Sequence, residues 1–157
     1  MDDFDLRLLD ALQQDGRLTN NDLAEKVGLS ASQCSRRRAA LEEAGIIESY
    51  HARLAPEALG LAIGVIVHVT LATHSPDNSR RFKTLIDGLD EVQEAYSMTG
   101  EADYLIKLVV TDLKALSEIL NSVFLPHESV AHVRSSIVLD RLKNTTRLPL
   151  RHLKKTR

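Results

Sequence analysis

The chain has 157 residues, enough for one domain or two small ones, and a hydrophobic content of 43% is enough to build real cores. A single cysteine excludes an internal disulfide and an all-cysteine metal cluster. No run is apolar and long enough to cross a membrane, and the acidic start MDDFD is the opposite of a signal peptide's basic opening, so a cytoplasmic protein is expected. The net charge of -2 and pI near 6.3 exclude a protein that coats nucleic acid through a broad basic surface, so any DNA contact has to be local and geometric.

Asp5 to Gln14 reads as a first helix, with Leu8, Leu9 and Leu12 on one face and Asp15-Gly16 ending it. Thr19 then suits an N-cap, Asp22 complements the positive helix end, and Leu18 can staple to Leu23. Leu23, Ala24 and Val27 follow at helical spacing until Gly28 supplies a left-handed stop. Ser30 and Gln33 form a second capping box almost at once, with Leu29 and Cys34 in the staple positions. Two helices joined by so short a turn must cross steeply, which is the arrangement of a helix-turn-helix whose second helix enters a DNA major groove.

That second helix carries Arg36, Arg37 and Arg38, and its phase separates them. At about 100° per residue, Cys34, Arg38, Leu41 and Gly45 share one side while Ser32, Arg36, Ala39 and Glu43 lie opposite. The candidate DNA contacts are therefore Ser30, Ser32, Gln33, Ser35, Arg36 and Arg37. Arg36 is placed to read a base edge, Arg37 sits on the flank as either a phosphate contact or a plain surface charge, and Arg38 occupies a core-edge position with its head reaching for an acidic neighbour. Cys34 reads as a small buried hydrophobe. Met1 to Leu54 contains seven basic residues against ten acidic ones, so this half needs a second copy to gain avidity.

Ile46 to Leu54 is β-branched and aromatic and predicts a short strand; Pro56 to Gly60 marks a break. From Leu61 the period changes. Ile63, Val65, Val67, Val69 and Leu71 alternate as a half-buried strand, Ser75-Pro76 opens a helix with Phe82, Leu85, Ile86 and Leu89 on its apolar face, and Val92 to Thr99 and Tyr104 to Val110 are two further strands. Thr111 or Asp112 caps a last helix that Pro126 ends, and Val130 to Leu139 is a fourth strand. The order βαββαβ predicts an α+β chain: a winged helix-turn-helix over residues 1–45, a linker over 46–60, and a ferredoxin-like sandwich with a basic tail over 61–157. Both helices would cover one sheet face. The other, including Ile63 or Ile66, Ala95 and Tyr96, is left bare for a homodimer partner. The tail from Arg141 has seven basic residues and no acidic one; it reads as a solvated, partly frayed end, with a phosphate contact or an arm on a neighbouring subunit as alternatives.

Taken together, the segments DLRLLDALQQDGRLTNNDLAEKVGLSASQCSRRRAALEEAGII, YHARLAPEALG, MTGEADYLIKLVV and LKNTTRLPL resemble the Lrp/AsnC (feast/famine) family of transcription regulators. The resemblance implies an N-terminal DNA-binding domain and a C-terminal ligand-sensing domain. It also implies a dimer that assembles to a tetramer or octamer on double-stranded operator DNA. It places a small-molecule effector, usually an amino acid, beside the segment TGEADYL, and so points to Thr99, Gly100, Glu101, Asp103 and Tyr104. Amides around Gly100 suit a carboxylate there and Asp103 suits an ammonium. The chain departs from the family at Arg38, where relatives usually carry an apolar residue, so a different operator is expected.

Two alternatives stand beside this reading: a ligand-independent regulator, and a small dimeric ferredoxin-like enzyme. The enzyme has little behind it. His51, His68, His74, His127, His132 and His152 show no metal-ligand spacing, and there is neither a nucleophile motif nor a phosphate-binding glycine loop, so no metal or cofactor is expected. Of the six, His68 on the long strand is the one to watch, and it reads as an interior histidine.

Overall fold

The computed structural model describes residues 1–153, and the chain divides into two units, Met1–Arg53 with Lys143–Arg157 and Leu54–Leu142. In the first unit, helices α1 (Asp3–Gln14), α2 (Asn20–Val27) and α3 (Ala31–Glu43) share one small core. Leu8, Leu23 and Cys34 are completely buried in it, and Leu9, Leu12, Val27 and Leu41 nearly so. Helix α1 starts two residues earlier than its apolar pattern suggests, because Asp2 and Asp5 form a capping box of their own. The boxes Thr19/Asp22 and Ser30/Gln33 form as their spacing predicts, and Gly28 takes the left-handed conformation, at φ +80°, that ends α2.

Two expectations fail in this unit. Residues 46–54 form no strand and pair with none among the described residues: the Ile46 and Ile47 amides bend back to donate to the Leu41 carbonyl, and Tyr50 folds back to hydrogen-bond with Glu42 and Arg38. The tail is solvent-exposed from 141 to 149, as expected, but it is not separate from the helices; its last four residues lie outside the described ones. Leu150 packs against the helical core, Arg147 pairs with Asp10 at 2.6 Å, and the Leu148 amide donates to Gln13 at 2.5 Å. The tail therefore groups with the helical unit and not with residues 61–142.

The second unit contains strands β1 (Ile63–Leu71), β2 (Val92–Ser97), β3 (Tyr104–Val110) and β4 (Val130–Ile137) in the order β2-β3-β1-β4, every neighbour antiparallel. Helix α4 (Pro76–Asp87) starts at a Ser75 cap with Pro76 in its first turn, and α5 (Leu113–Ile119) starts at Asp112 and continues through a π turn over Leu120–Phe124. Val65, Val67, Val69, Ile106 and Leu108 form a continuous aliphatic layer under Phe82 and Phe124. Residues paired across antiparallel strands share a face, which settles which side chains the open face carries. Ile66 pairs with Lys107 and Tyr96 with Leu105 on that open face, whereas Ile63 pairs with Val110 and Ala95 with Ile106 on the helix-covered one. Of the alternatives Ile63 and Ile66, it is Ile66 that lies on the bare face; Ala95 leaves it, and His68 is on it, between Leu105 and Arg134, instead of in the interior.

Candidate nucleic-acid interface and effector loop

The three consecutive arginines of α3 have three different environments. Arg37 reaches the start of α1, where its guanidinium binds Asp5 at 2.6 Å and Asp2 at 2.9 Å and lies 5.7 Å from the centroid of the Phe4 ring. The Asp5 contact first, then Asp2, holds its pKa above the usual arginine value. Arg38 donates to Glu42 at 3.1 Å, the Tyr50 hydroxyl at 3.0 Å and the Leu18 carbonyl at 3.2 Å, and stacks on the Tyr50 ring at 4.6 Å. The Tyr50 and Arg38 hydrogen bonds in turn hold the Glu42 carboxyl below the usual range. Arg36 alone of the three has no hydrogen bond or ion pair among the described residues, and it is exposed beside Ser32, Gln33, Ser35 and Ala39.

The remaining candidates divide by the same test. The Ser30 hydroxyl accepts from the Gln33 backbone amide and the Gln33 side-chain oxygen accepts from the Ser30 amide, so both side chains help to start the helix, with Gln33 still exposed. Ser32 meets the Ser30 hydroxyl at 3.1 Å. Cys34 is buried, and burial pushes its thiol pKa up, away from reactivity.

The loop between β2 and β3 is pinned at its end by Asp103. Its amide donates to Val69, its carbonyl accepts from Met98, and one carboxylate oxygen accepts from the Leu71 amide at 2.7 Å, where β1 shifts register against β4. The other oxygen faces His74 Nδ1 at 3.3 Å. His74 sits on the loop before α4, which Asn78 fastens by donating to Thr73. Gly100 has φ +124°, a conformation that disfavours any side chain, and Thr99, Gly100 and Glu101 are exposed. Tyr104 points the other way: its ring lies 4.7 Å from that of Phe82 in the core.

Comparison with known proteins gives this geometry a family. Residues 1–48 match a family described as winged helix-turn-helix DNA-binding, and residues 64–148 match the Lrp/AsnC ligand binding domain. The leucine-responsive regulatory proteins of Haemophilus influenzae and Escherichia coli are 36% and 35% identical over 151 residues, 96% of this chain and 91% and 92% of theirs. The chain belongs to the Lrp/AsnC family. Among solved structures, a Neisseria meningitidis transcriptional regulator in complex with L-Met is 39% identical, with a TM-score of 0.95 over 98% of this chain and 99% of that one. An AsnC family regulator from Agrobacterium tumefaciens is 35% identical, with a TM-score of 0.91 over 98% and 100%. This Lrp/AsnC protein is accordingly a DNA-binding transcriptional regulator with a ligand-binding domain, and its relatives are regulators, not enzymes.

The sequence predicts where α3 and the β2–β3 loop lie but misses the groups that hold them. The Asp2/Asp5 box has the spacing of a capping signature and could have been read directly. His74 and Tyr50 had no such signal, because each meets its partner only through the tertiary fold.

Proposed function

We propose that this regulator reads double-stranded operator DNA through Ser32, Gln33, Ser35 and Arg36, with Arg36 supplying the principal base contact. The observation that carries this is the division of the arginines: Arg37 and Arg38 are committed inside the protein, and exposed Arg36 is left with its donors unspent. Arginine is the usual bidentate partner of guanine. Arg37 and Ser30 act by setting the orientation of α3 and not as direct readers.

The effector is an amino acid held by the loop Thr99–Asp103. The exposed amides around Gly100 suit a carboxylate, and Asp103 keeps a carboxylate oxygen, shared with His74, for an ammonium. The L-Met complex of the Neisseria regulator supports an amino acid as the class. Two copies pair through the open face of the sheet, and dimers assemble further, to a tetramer or octamer, in the cytoplasm where the DNA is; among the described residues no helix is long and apolar enough to cross a membrane. Exposed Tyr96, with Ile66 and Leu105 only half-buried beside it on the open face, supports that pairing. Effector binding shifts the populations of these assemblies and so the spacing of the two recognition helices.

The test is an anisotropy titration at stated salt against the promoter DNA of the protein's own gene and against random DNA, with and without L-Met and L-Leu. A clear preference for the promoter, altered by an amino acid, is expected. Equal binding to both DNAs would refute sequence-specific reading, and a preference indifferent to a full amino-acid panel would favour ligand-independent regulation.

A further inference from the structure

The C-terminal tail follows the last strand of the sheet, yet its residues complete the DNA-binding unit. Residues 1–53 hold seven basic side chains against ten acidic ones, the wrong sign for a unit that must approach a polyanion. The described part of the tail that groups with it adds Lys143, Arg147 and Arg151 and no acid, bringing the unit from seven basic against ten acidic to ten against ten. The attachment is specific and not a loose electrostatic cloud. Leu150 packs on the core that contains Leu8 and Leu12, Gln13 exchanges hydrogen bonds with both the amide and the carbonyl of Leu148, and Arg147 neutralises Asp10. Arg53 adds a hydrogen bond to the Asn144 carbonyl. Helix α1 is thus held along its flank by the tail and at its start by Arg37 of the recognition helix.

We infer that the tail is a working part of the DNA-binding unit: Leu150 and Arg147 are positioning residues that hold α1, and the exposed cations Lys143 and Arg151 offset the acidic excess of the three helices and meet the DNA backbone. Its ligand is the phosphate backbone of duplex DNA, contacted without regard to sequence. Because the same segment continues directly from the chain after β4, the helical unit is joined to the sheet unit at both Arg53 and Lys143.

The full-length protein tests this with two classes of variant. Leu150→Ala should speed amide hydrogen exchange in α1 and weaken promoter binding about five- to tenfold. Gln13→Ala combined with Arg147→Ala, which leaves Leu150 in place, should give the same pattern at smaller size even if Leu150→Ala does not fold. Lys143→Gln with Arg151→Gln should leave α1 exchange at the wild-type rate while weakening promoter and random DNA alike. It should also reduce the slope of log affinity against log salt by about 1 to 2, at roughly 0.9 for each phosphate no longer neutralised. Wild-type exchange in α1 in the packing variants, or wild-type affinity and salt slope in the charge variant, overturns the proposal.

Discussion

The helical unit and the sheet unit solve the problem of stability differently. The sheet buries a continuous layer of valine, isoleucine and leucine under two phenylalanines, so its stability rests on packing. The helical unit has a smaller core, and its helices are further fixed by three capping boxes, the Arg37 bridge to Asp2 and Asp5, the Arg38 cluster and the tail. The difference teaches that charge in the helical unit is mostly structural, so the few groups left unspent are the ones available to DNA. Counting arginines on a recognition helix therefore overstates its reading capacity.

The comparison can be broken first at the sheet core. Phe82→Ala should cost about 3–5 kcal/mol in denaturant unfolding, since Phe82 is buried and its ring meets both Tyr104 and Phe124. A loss below about 1 kcal/mol would mean that packing does not dominate there. Next, Asp103→Ala strips the Leu71 amide of its acceptor and should cost about 1–3 kcal/mol of stability. It should also abolish any calorimetric response to amino acids, whereas His74→Ala should weaken that response with a smaller loss of stability.

In the helical unit, Thr19→Ala should cost about 1 kcal/mol by removing the cap of α2. The unit should also be the more acid-sensitive of the two, since Asp2, Asp15, Asp22 and Glu42 are held low there against Glu94, by the Lys107 hydrogen bond, and Asp112, by the Ala115 amide, in the sheet unit. The carboxyls of Asp2, Asp15 and Asp22 lie below their usual value of 3.8, held down chiefly by hydrogen bonds: Asp2 by the Asp5 amide, Asp15 by the Arg17 amide and Asp22 by the Thr19 side chain. A carboxyl depressed in the folded state lends stability that is complete above its unfolded value and is lost as the pH falls through the folded one. Helical signal should therefore start to melt as the pH drops below about 4, ahead of the sheet. A pH titration that monitors the two units separately, by exchange or by NMR, checks this, and simultaneous loss would erase the distinction.

Much of this is legible in the sequence because it is local. Capping boxes, the glycine at 28 and the alternation from Ile63 to Leu71 each follow from residues a few positions apart, and the order of elements then leaves few topologies. What the sequence hides depends on long-range meetings. Residues 46–54 have strand-forming side chains but no neighbouring strand among the described residues, so the propensity goes unrealised. Ala95 leaves its expected face because it is the immediate neighbour of Tyr96, and consecutive strand residues point to opposite sides of the sheet. The tail's docking depends on Leu148 and Leu150 meeting a helix more than a hundred residues earlier in the chain. In the loop, only the family resemblance points to Asp103 as a ligand group; nothing local announces its bond with Leu71 or hints that Tyr104 turns inward.

The most direct test replaces each arginine of the recognition helix in turn with alanine and measures both thermal stability and the preference for promoter over random DNA. Arg36→Ala should lose about 1–3 kcal/mol of that preference at unchanged melting temperature. Arg37→Ala and Arg38→Ala should lower the melting temperature, and any weakening of DNA binding should follow that loss. An Arg36→Ala protein that keeps its preference, or an Arg37→Ala protein that loses it at full stability, would contradict the division of labour drawn from the structure.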